Sequence, residues 1–249
     1  MGAFEGKTVL VTGGNSGIGE GIALQFANAG AKVVITGRRA EAVEATTKLH
    51  DNIQGYVGDV SIPEQAHGAV AAAAAATGQL DILVNNAGIY GVTPVDGESN
   101  EIIRSLYDIN VLGLTFVTQA AVPYLKASKG SIVNISSVVA RYPSPGTSHY
   151  AATKAAVDSL TRSWAVELAE SGVRVNAVSP GPVETPIFGK LGFSDEQISG
   201  FKTGMIGKLL VPRLGTPDDI AGWVLHVASP QSAWVTGQIF SVDGGAFLR

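Results

Sequence analysis

From end to end the chain alternates short apolar runs with stretches of helical apolar spacing, and this alternation restricts it to an α/β architecture. The apolar runs fall near residues 7–12, 32–36, 54–58, 81–86, 131–136, 173–178 and 238–242, which implies a seven-stranded sheet. No polar linker interrupts the pattern. A chain of 249 residues with 45% hydrophobic content can bury one substantial core, so a single domain over 1–249 is expected. The alanine tract Ala71–Ala76 follows Ser61-Ile62-Pro63-Glu64, which reads as a helix start with a capping box. That tract is expected to be an ordinary helix whose small side chains allow close packing on the sheet.

Composition removes several classes of function. The net charge of −4 gives no basic footprint, so neither nucleic acid nor an anionic membrane is expected as a partner. No apolar run approaches the ~20 residues needed to span a bilayer. Met1 to Lys7 lacks the basic and apolar regions of a signal peptide, and the cytoplasm is the expected location. The absence of cysteine rules out disulfides, thiolate metal sites and cysteine nucleophiles. His50, His67, His149 and His226 are scattered without ligand spacing, so no protein-bound catalytic metal is expected.

Near the N-terminus KTVLVT reads as a buried strand that runs into GGNSGIGEGIALQFANAG, a glycine turn followed by helical spacing at Ile18, Ile22 and Phe26. Glycines let a backbone turn tightly and approach a phosphate, while unpaired N–H groups at a helix start point at its charge. The spacing Gly13, Gly17, Gly19 departs from the general GxGxxG fingerprint, and alone it suits a structural turn as well as a binding site. Later runs also end in polar tips: DILVNNAG in Asn85 to Gly88, and GSIVNISS in Ser136 and Ser137. In an open parallel sheet such tips line the binding crevice. Tyr150 and Lys154 in YAATK are four apart, a spacing that puts both on one helix face, where the ammonium favours an ionised phenol. A free tyrosine titrates near ~10, so catalysis near neutral pH requires lowering it by about 3 pH units. Alone, such a pair is more often a solvated helix face.

Taken in order, TGGNSGIG, NNAG, Asn110 in DINVLG, Ser137, YAATK and PGPVET resemble the short-chain dehydrogenase/reductase family, from about Lys7 to the VDGG ending at Gly245. The resemblance implies a Rossmann-like doubly wound parallel sheet with helices on both faces. It also implies reversible hydride transfer between a nicotinamide and a carbonyl or alcohol carbon. In that scheme Tyr150 gives or takes the proton, and Lys154 holds the nicotinamide ribose. Ser137 hydrogen-bonds the substrate oxygen, while Asn110 holds a helix distortion and a water that relays protons to Lys154. Ser136 is the rival donor, but adjacent strand residues face opposite sides, so only one should reach the site.

The same resemblance assigns cofactor contacts to Gly13, Asn15, Ser16, Gly17, Ile18 and Gly19, to Asp59 and Val60, and to Asn86, Ala87 and Gly88. It continues through Pro180, Gly181 and Val183 to Thr185, placed at the carboxamide. The strand KVVIT ends in Gly37-Arg38-Arg39, with no acid where one would bind the ribose hydroxyls of NAD. Arg38 offers a planar fork of donors to a 2′-phosphate, which favours NADP(H) over NAD(H). Arg38 and Arg39 also suit exposed helix-entry positions, and Asp59 a turn at a strand end.

Residues 186–212 lie where the family places a substrate lid. Its apolar members Ile187, Phe188, Leu191, Phe193, Ile198, Phe201, Met205 and Ile206 form either an apolar pocket wall or a self-packed cluster. Arg141, Tyr142 and His149 fall near the expected mouth, without assigned chemistry. The family implies subunit pairing, as homotetramer or homodimer, through helices near 100–127 and 149–171. Trp164 and Leu168 suit either that interface or the core. The expected function is an NADP(H)-dependent carbonyl reductase or alcohol dehydrogenase acting on a small carbonyl or alcohol substrate. The alternative is a catalytically silent nicotinamide-binding sensor or scaffold.

Overall fold

The computed structural model describes residues 2–97, 100–186, 189, 194–246 and 248. Seven strands form one sheet: β1 (Thr8–Thr12), β2 (Lys32–Gly37), β3 (Ile53–Val57), β4 (Ile82–Asn85), β5 (Ser131–Ile135), β6 (Arg174–Pro180) and β7 (Ile239–Val242). Their order is β3-β2-β1-β4-β5-β6-β7, and every neighbouring pair is parallel. The expected doubly wound, Rossmann-like sheet is therefore present. The order reverses between β1 and β4, and such a switch point opens a crevice at the carboxyl ends of the strands.

Helices α1 (Gly17–Asn28), α2 (Ala40–Thr47), α3 (Pro63–Thr77), α4 (Asn100–Tyr107), α5 (Leu114–Ser128), α6 (Ser148–Leu168), α7 (Asp195–Ile206) and α8 (Pro217–Ala228) complete the framework. Strand periodicity divides the core between two layers. Val9 and Val11 of β1 join Ile22 and Phe26 of α1 and Val224 of α8, whereas Leu10 joins Val70 of α3 and Val117 of α5. Each such side chain, fully withdrawn from water, contributes roughly 1.5–3 kcal/mol before ordering costs. With both faces of the sheet covered, the strands read as near-continuous apolar runs.

The alanine tract is helical as expected, with Ala66, Ala69, Ala73 and Ala74 buried against the sheet layer. Its start differs from the expected capping box. Ile62 precedes the helix, Pro63 opens it, and Ser61 turns away, its hydroxyl and N–H both donating to Asp59 Oδ1 at 2.7 and 2.9 Å. Proline suits the first helical position because its missing N–H would be unpaired there anyway. Full capping boxes occur instead at Ser194/Gln197 and Thr216/Asp219.

The helix expected near 100–127 is interrupted between α4 and α5 by a π-helical turn at Asp108–Gly113. Leu168 is buried in the core layer with Val117 and Leu125, and the partly buried Trp164 packs against that layer. None of the residues of α7 is buried, and the lid residues Ile187, Phe188, Leu191 and Phe193 lie outside the described residues.

Candidate active site

Glycine is required at two points of the turn after β1. Gly13 (φ 62°) and Gly17 (φ 54°) adopt left-handed backbone. A side chain on Gly13 would stand 2.9 Å from Ala87 Cα, and one on Gly19 would run into the Gly13 carbonyl oxygen. Asn86 closes the turn from across the sheet, donating to the carbonyls of Thr12 and Gly13 at 2.9 and 3.0 Å. Ser16 precedes α1 in extended conformation and its side chain does not cap the helix, so the first-turn N–H groups lack an acceptor within the helix. The result is a bare backbone surface at a helix start, which fits an anionic dinucleotide.

Several of the other residues expected at the cofactor lie around this turn or at the strand ends beside it. Thr185 stands over the turn, its Cγ2 3.2 Å from where a Gly17 side chain would begin. Pro180 ends β6, Gly181 donates its N–H to Val242, and Val183 bridges to Gly215. At the end of β2 the Asn15 side chain packs where a side chain on Gly37 would go. Arg38 and Arg39 are exposed beside it. Arg38 Nη1 is 3.7 Å from Asp59 Oδ2, an exposed pairing of little energetic weight. Asp59 thus does serve the turn at its strand end, and also faces Arg38. Val60 packs against Gly113 at the edge of the π-helical turn.

The polar cluster lies at the carboxyl ends of β4 and β5. Asn110 sits inside the π-helical turn and is buried there, accepting from Ile89 N at 2.8 Å and donating to Ile89 O at 3.0 Å and Thr153 Oγ1 at 3.1 Å. The amide thereby ties the widened helix to the loop after β4 and to α6. A side chain on Gly88 would lie 3.2 Å from Asn110 Oδ1 and 3.6 Å from Lys154 Nζ, so only glycine leaves that space open. The Ser137 hydroxyl lies close enough to the Tyr150 phenol to oppose the rise in its pKa, whereas Ser136 is buried and donates to Asp158 farther along α6. Only Ser137 reaches the phenol, as expected, but both serines lie past the end of β5 and face α6, so strand alternation is not the reason.

One electrostatic expectation is overturned. Burial pushes the Tyr150 phenol up to about 12, with the Ser137 hydrogen bond opposing and Tyr90 reinforcing the rise. Lys154 does not bring it down. Its Nζ lies 5.9 Å from the ring centroid and donates to the Ile135 carbonyl at 2.8 Å. The flexible stem carries the charge past the phenol to the strand end. Burial lowers Lys154 itself to about 8, while Asp158 works in the opposite direction. At neutral pH Tyr150 is consequently a neutral phenol.

Several site residues were absent from the sequence reading. Tyr90 meets Tyr150 edge-on, with centroids 5.1 Å apart. Thr153 is fully buried and bridges Asn110 to the Tyr150 carbonyl. Thr12 accepts from the N–H groups of Asn86 and Ala87, both at 3.0 Å. Extending the four-residue spacing beyond Lys154 would have found Asp158. Nothing in the spacing points to Tyr90.

A family model described as enoyl-(acyl carrier protein) reductase matches residues 13–246. A solved short-chain dehydrogenase/reductase family protein is 42% identical, with a TM-score of 0.87, over 99% of this chain and 100% of that one. The chain belongs to the short-chain dehydrogenase/reductase family. Another family structure, from Caenorhabditis elegans and with cofactor, superposes with a TM-score of 0.93 at 35% identity, covering 99% and 97% of the two chains. Among curated relatives, the 3-oxoacyl-(acyl-carrier-protein) reductase of Thermotoga maritima is 38% identical over 98% of this chain and 99% of its own. The L-rhamnose 1-dehydrogenase (NAD(P)(+)) of a Sphingomonas species is 35% identical over 100% and 99%. Family membership makes the chain an oxidoreductase that works with a nicotinamide cofactor.

Proposed function

We propose that this family member reduces a ketone or aldehyde to an alcohol with NADP(H), Tyr150 delivering the proton. The observation that carries the reading is the convergence of Asn110, Ser137, Tyr150 and Lys154 beside the glycine turn at the switch point. A bound reduced nicotinamide supplies the hydride. Ser137 and Tyr150 hold two hydroxyls at one place, so both can donate to a carbonyl oxygen as it gains negative charge. The high pKa keeps the Tyr150 proton available until that charge develops. Lys154 holds a positive charge at the strand end next to Gly88, where the proton it carries can replenish the phenol.

The direct test follows reduced-nicotinamide absorbance with NADPH and NADH over aryl, alkyl and 3-oxoacyl thioester ketones, with L-rhamnose and NADP⁺ as the reverse arm. Ketone turnover with NADPH supports the reading. Tight NADPH binding without turnover on any member would move it to a non-catalytic sensor. Phe201 and the half-buried Ile198, Met205 and Ile206 of α7 supply apolar surface, and aryl ketones are expected to outperform polyhydroxylated substrates. Faster turnover of the sugar than of any aryl ketone would sink that substrate class.

Preference for NADP(H) rests on the exposed Arg38 beside Gly37. Charge-assisted hydrogen bonds contribute about 1.5–3 kcal/mol, so Arg38→Leu should lower kcat/KM for NADPH roughly 10- to 100-fold while leaving NADH unchanged. Equal losses with both cofactors would mean the phosphate is read elsewhere. The exposed Leu112 and Tyr124 around α5, with Val166 on α6, fit pairing of these helices between copies, as homodimer or homotetramer. Light scattering on the eluting protein should give two or four times 25.6 kDa, and a monomer mass would exclude it.

A further inference from the structure

Three consecutive residues at the end of β5 are tied to three successive turns of α6. Lys154 Nζ donates to the Ile135 carbonyl at 2.8 Å, Ser136 Oγ donates to Asp158 Oδ1 at 2.6 Å, and the Ser137 hydroxyl acts on the Tyr150 phenol. Residues 150, 154 and 158 recur at four-residue spacing and share one stripe of the helix. Asp158 and Lys154 are each only 6% exposed. Ser136 Oγ is also 3.4 Å from the Lys154 carbonyl, but a hydroxyl has one hydrogen, and the shorter contact to a charged acceptor takes it.

Burial raises the pKa of the Asp158 carboxyl, so its ionised form needs compensation from its neighbours. Beyond Ser136, the charges acting on Asp158 are Arg141 after β5 and, on α6, Arg162 and Lys154. Arg162 also donates to the Asp158 main-chain carbonyl at 3.3 Å. From the other side, Asp158 is the acid that favours the charged form of Lys154. Tyr150 on the same helix and Tyr90 after β4 are the other titrating groups at this spot.

Building on the reductase reading, we propose that Asp158 is a positioning residue of the reaction. Its carboxylate balances the Lys154 ammonium and, through Ser136, fixes where Ser137 stands, without itself touching substrate or cofactor. The paired serines at the strand tip then have separate tasks. One anchors the strand to the acid, and its neighbour presents a hydroxyl beside the phenol.

The test compares Asp158→Asn and Asp158→Glu with the unmodified protein in two pH series: kcat for ketone reduction with NADPH, and urea unfolding. A negative neighbour favours the ammonium, so its removal lowers the Lys154 pKa from about 8. In Asp158→Asn the alkaline limb of kcat should move down by about one pH unit, whereas Asp158→Glu should keep the limb in place at reduced kcat. A uniform loss of kcat at every pH, with the limb unmoved, would reduce Asp158 to a packing role and overturn the proposal. So would an Asp158→Glu limb displaced as far as that of Asp158→Asn.

Unfolding reads the same pairing without turnover. The folded pKa of Lys154 lies below its unfolded value of 10.5, so the unfolded chain binds the extra proton between the two and stability rises with pH there. That rise should begin at lower pH in Asp158→Asn. If no ketone is turned over by the unmodified protein, the reductase reading fails. The unfolding series still decides the pairing: a shifted onset supports it and an unshifted onset overturns it. Should Asp158→Asn not fold, the position of the Asp158→Glu limb and onset decides alone.

Discussion

Replacing Tyr150 with phenylalanine should lower kcat for ketone reduction about 10³-fold while NADPH binding stays within a factor of about three, since a positioned general acid contributes 10²–10⁴. The variant removes one oxygen and keeps the ring that packs edge-on against Tyr90. It also leaves the Lys154 bond to Ile135 in place. Single-turnover absorbance and fluorescence titration with NADPH separate the two quantities. A kcat within tenfold of the unmodified protein would assign the proton to another donor, with Ser137 first in line because its hydroxyl lies beside the phenol.

Asn110→Leu should cost about 2–4 kcal/mol of stability. Its amide satisfies both the N–H and the C=O of Ile89 and donates to Thr153, and each group left unpaired away from water costs about 1–3 kcal/mol. With a urea slope of roughly 1–3 kcal/mol per molar, the unfolding midpoint should fall by about 1 M or more. Asn110→Asp keeps an acceptor for Ile89 N but cannot donate to Ile89 O, so it should fall between the two. A leucine variant with an unshifted midpoint would mean that the π-helical turn is held by its neighbours instead.

The sheet was legible because its strands are covered on both faces: continuous apolar runs such as Val9 to Val11 bounded by polar tips admit few other readings. Parallel pairing and the catalytic cluster came from the family resemblance. Local readings failed where another contact competes. Ser61 had the right neighbours for a cap, yet Asp59 offered its hydroxyl and N–H a carboxylate, and the helix began at Pro63 without it. Spacing put Lys154 on the face of Tyr150 but did not say where a flexible stem ends. The ammonium reaches the Ile135 carbonyl, contributed by a strand 19 residues earlier. Tyr90 escaped for the same reason, since its importance lies in what the fold sets against it, whereas Asp158 was within reach of the four-residue spacing.

The reversal of strand order has a consequence for how the chain folds. Every strand pair is parallel and so needs a crossover, which makes the sheet slow to assemble compared with one built from hairpins. The glycine turn is completed only when Asn86 reaches back across 74 residues to the Thr12 carbonyl. Thr185, from the second half of the chain, stands over Gly17 of the same turn, so the crevice is complete only once the two halves have docked. A ligand bound there selects the fully assembled molecule and stabilises it as a whole, by about 2.7 kcal/mol at a concentration 100 times Kd. Titrating NADPH against the unfolding midpoint consequently measures the integrity of the entire sheet as well as occupancy of the turn.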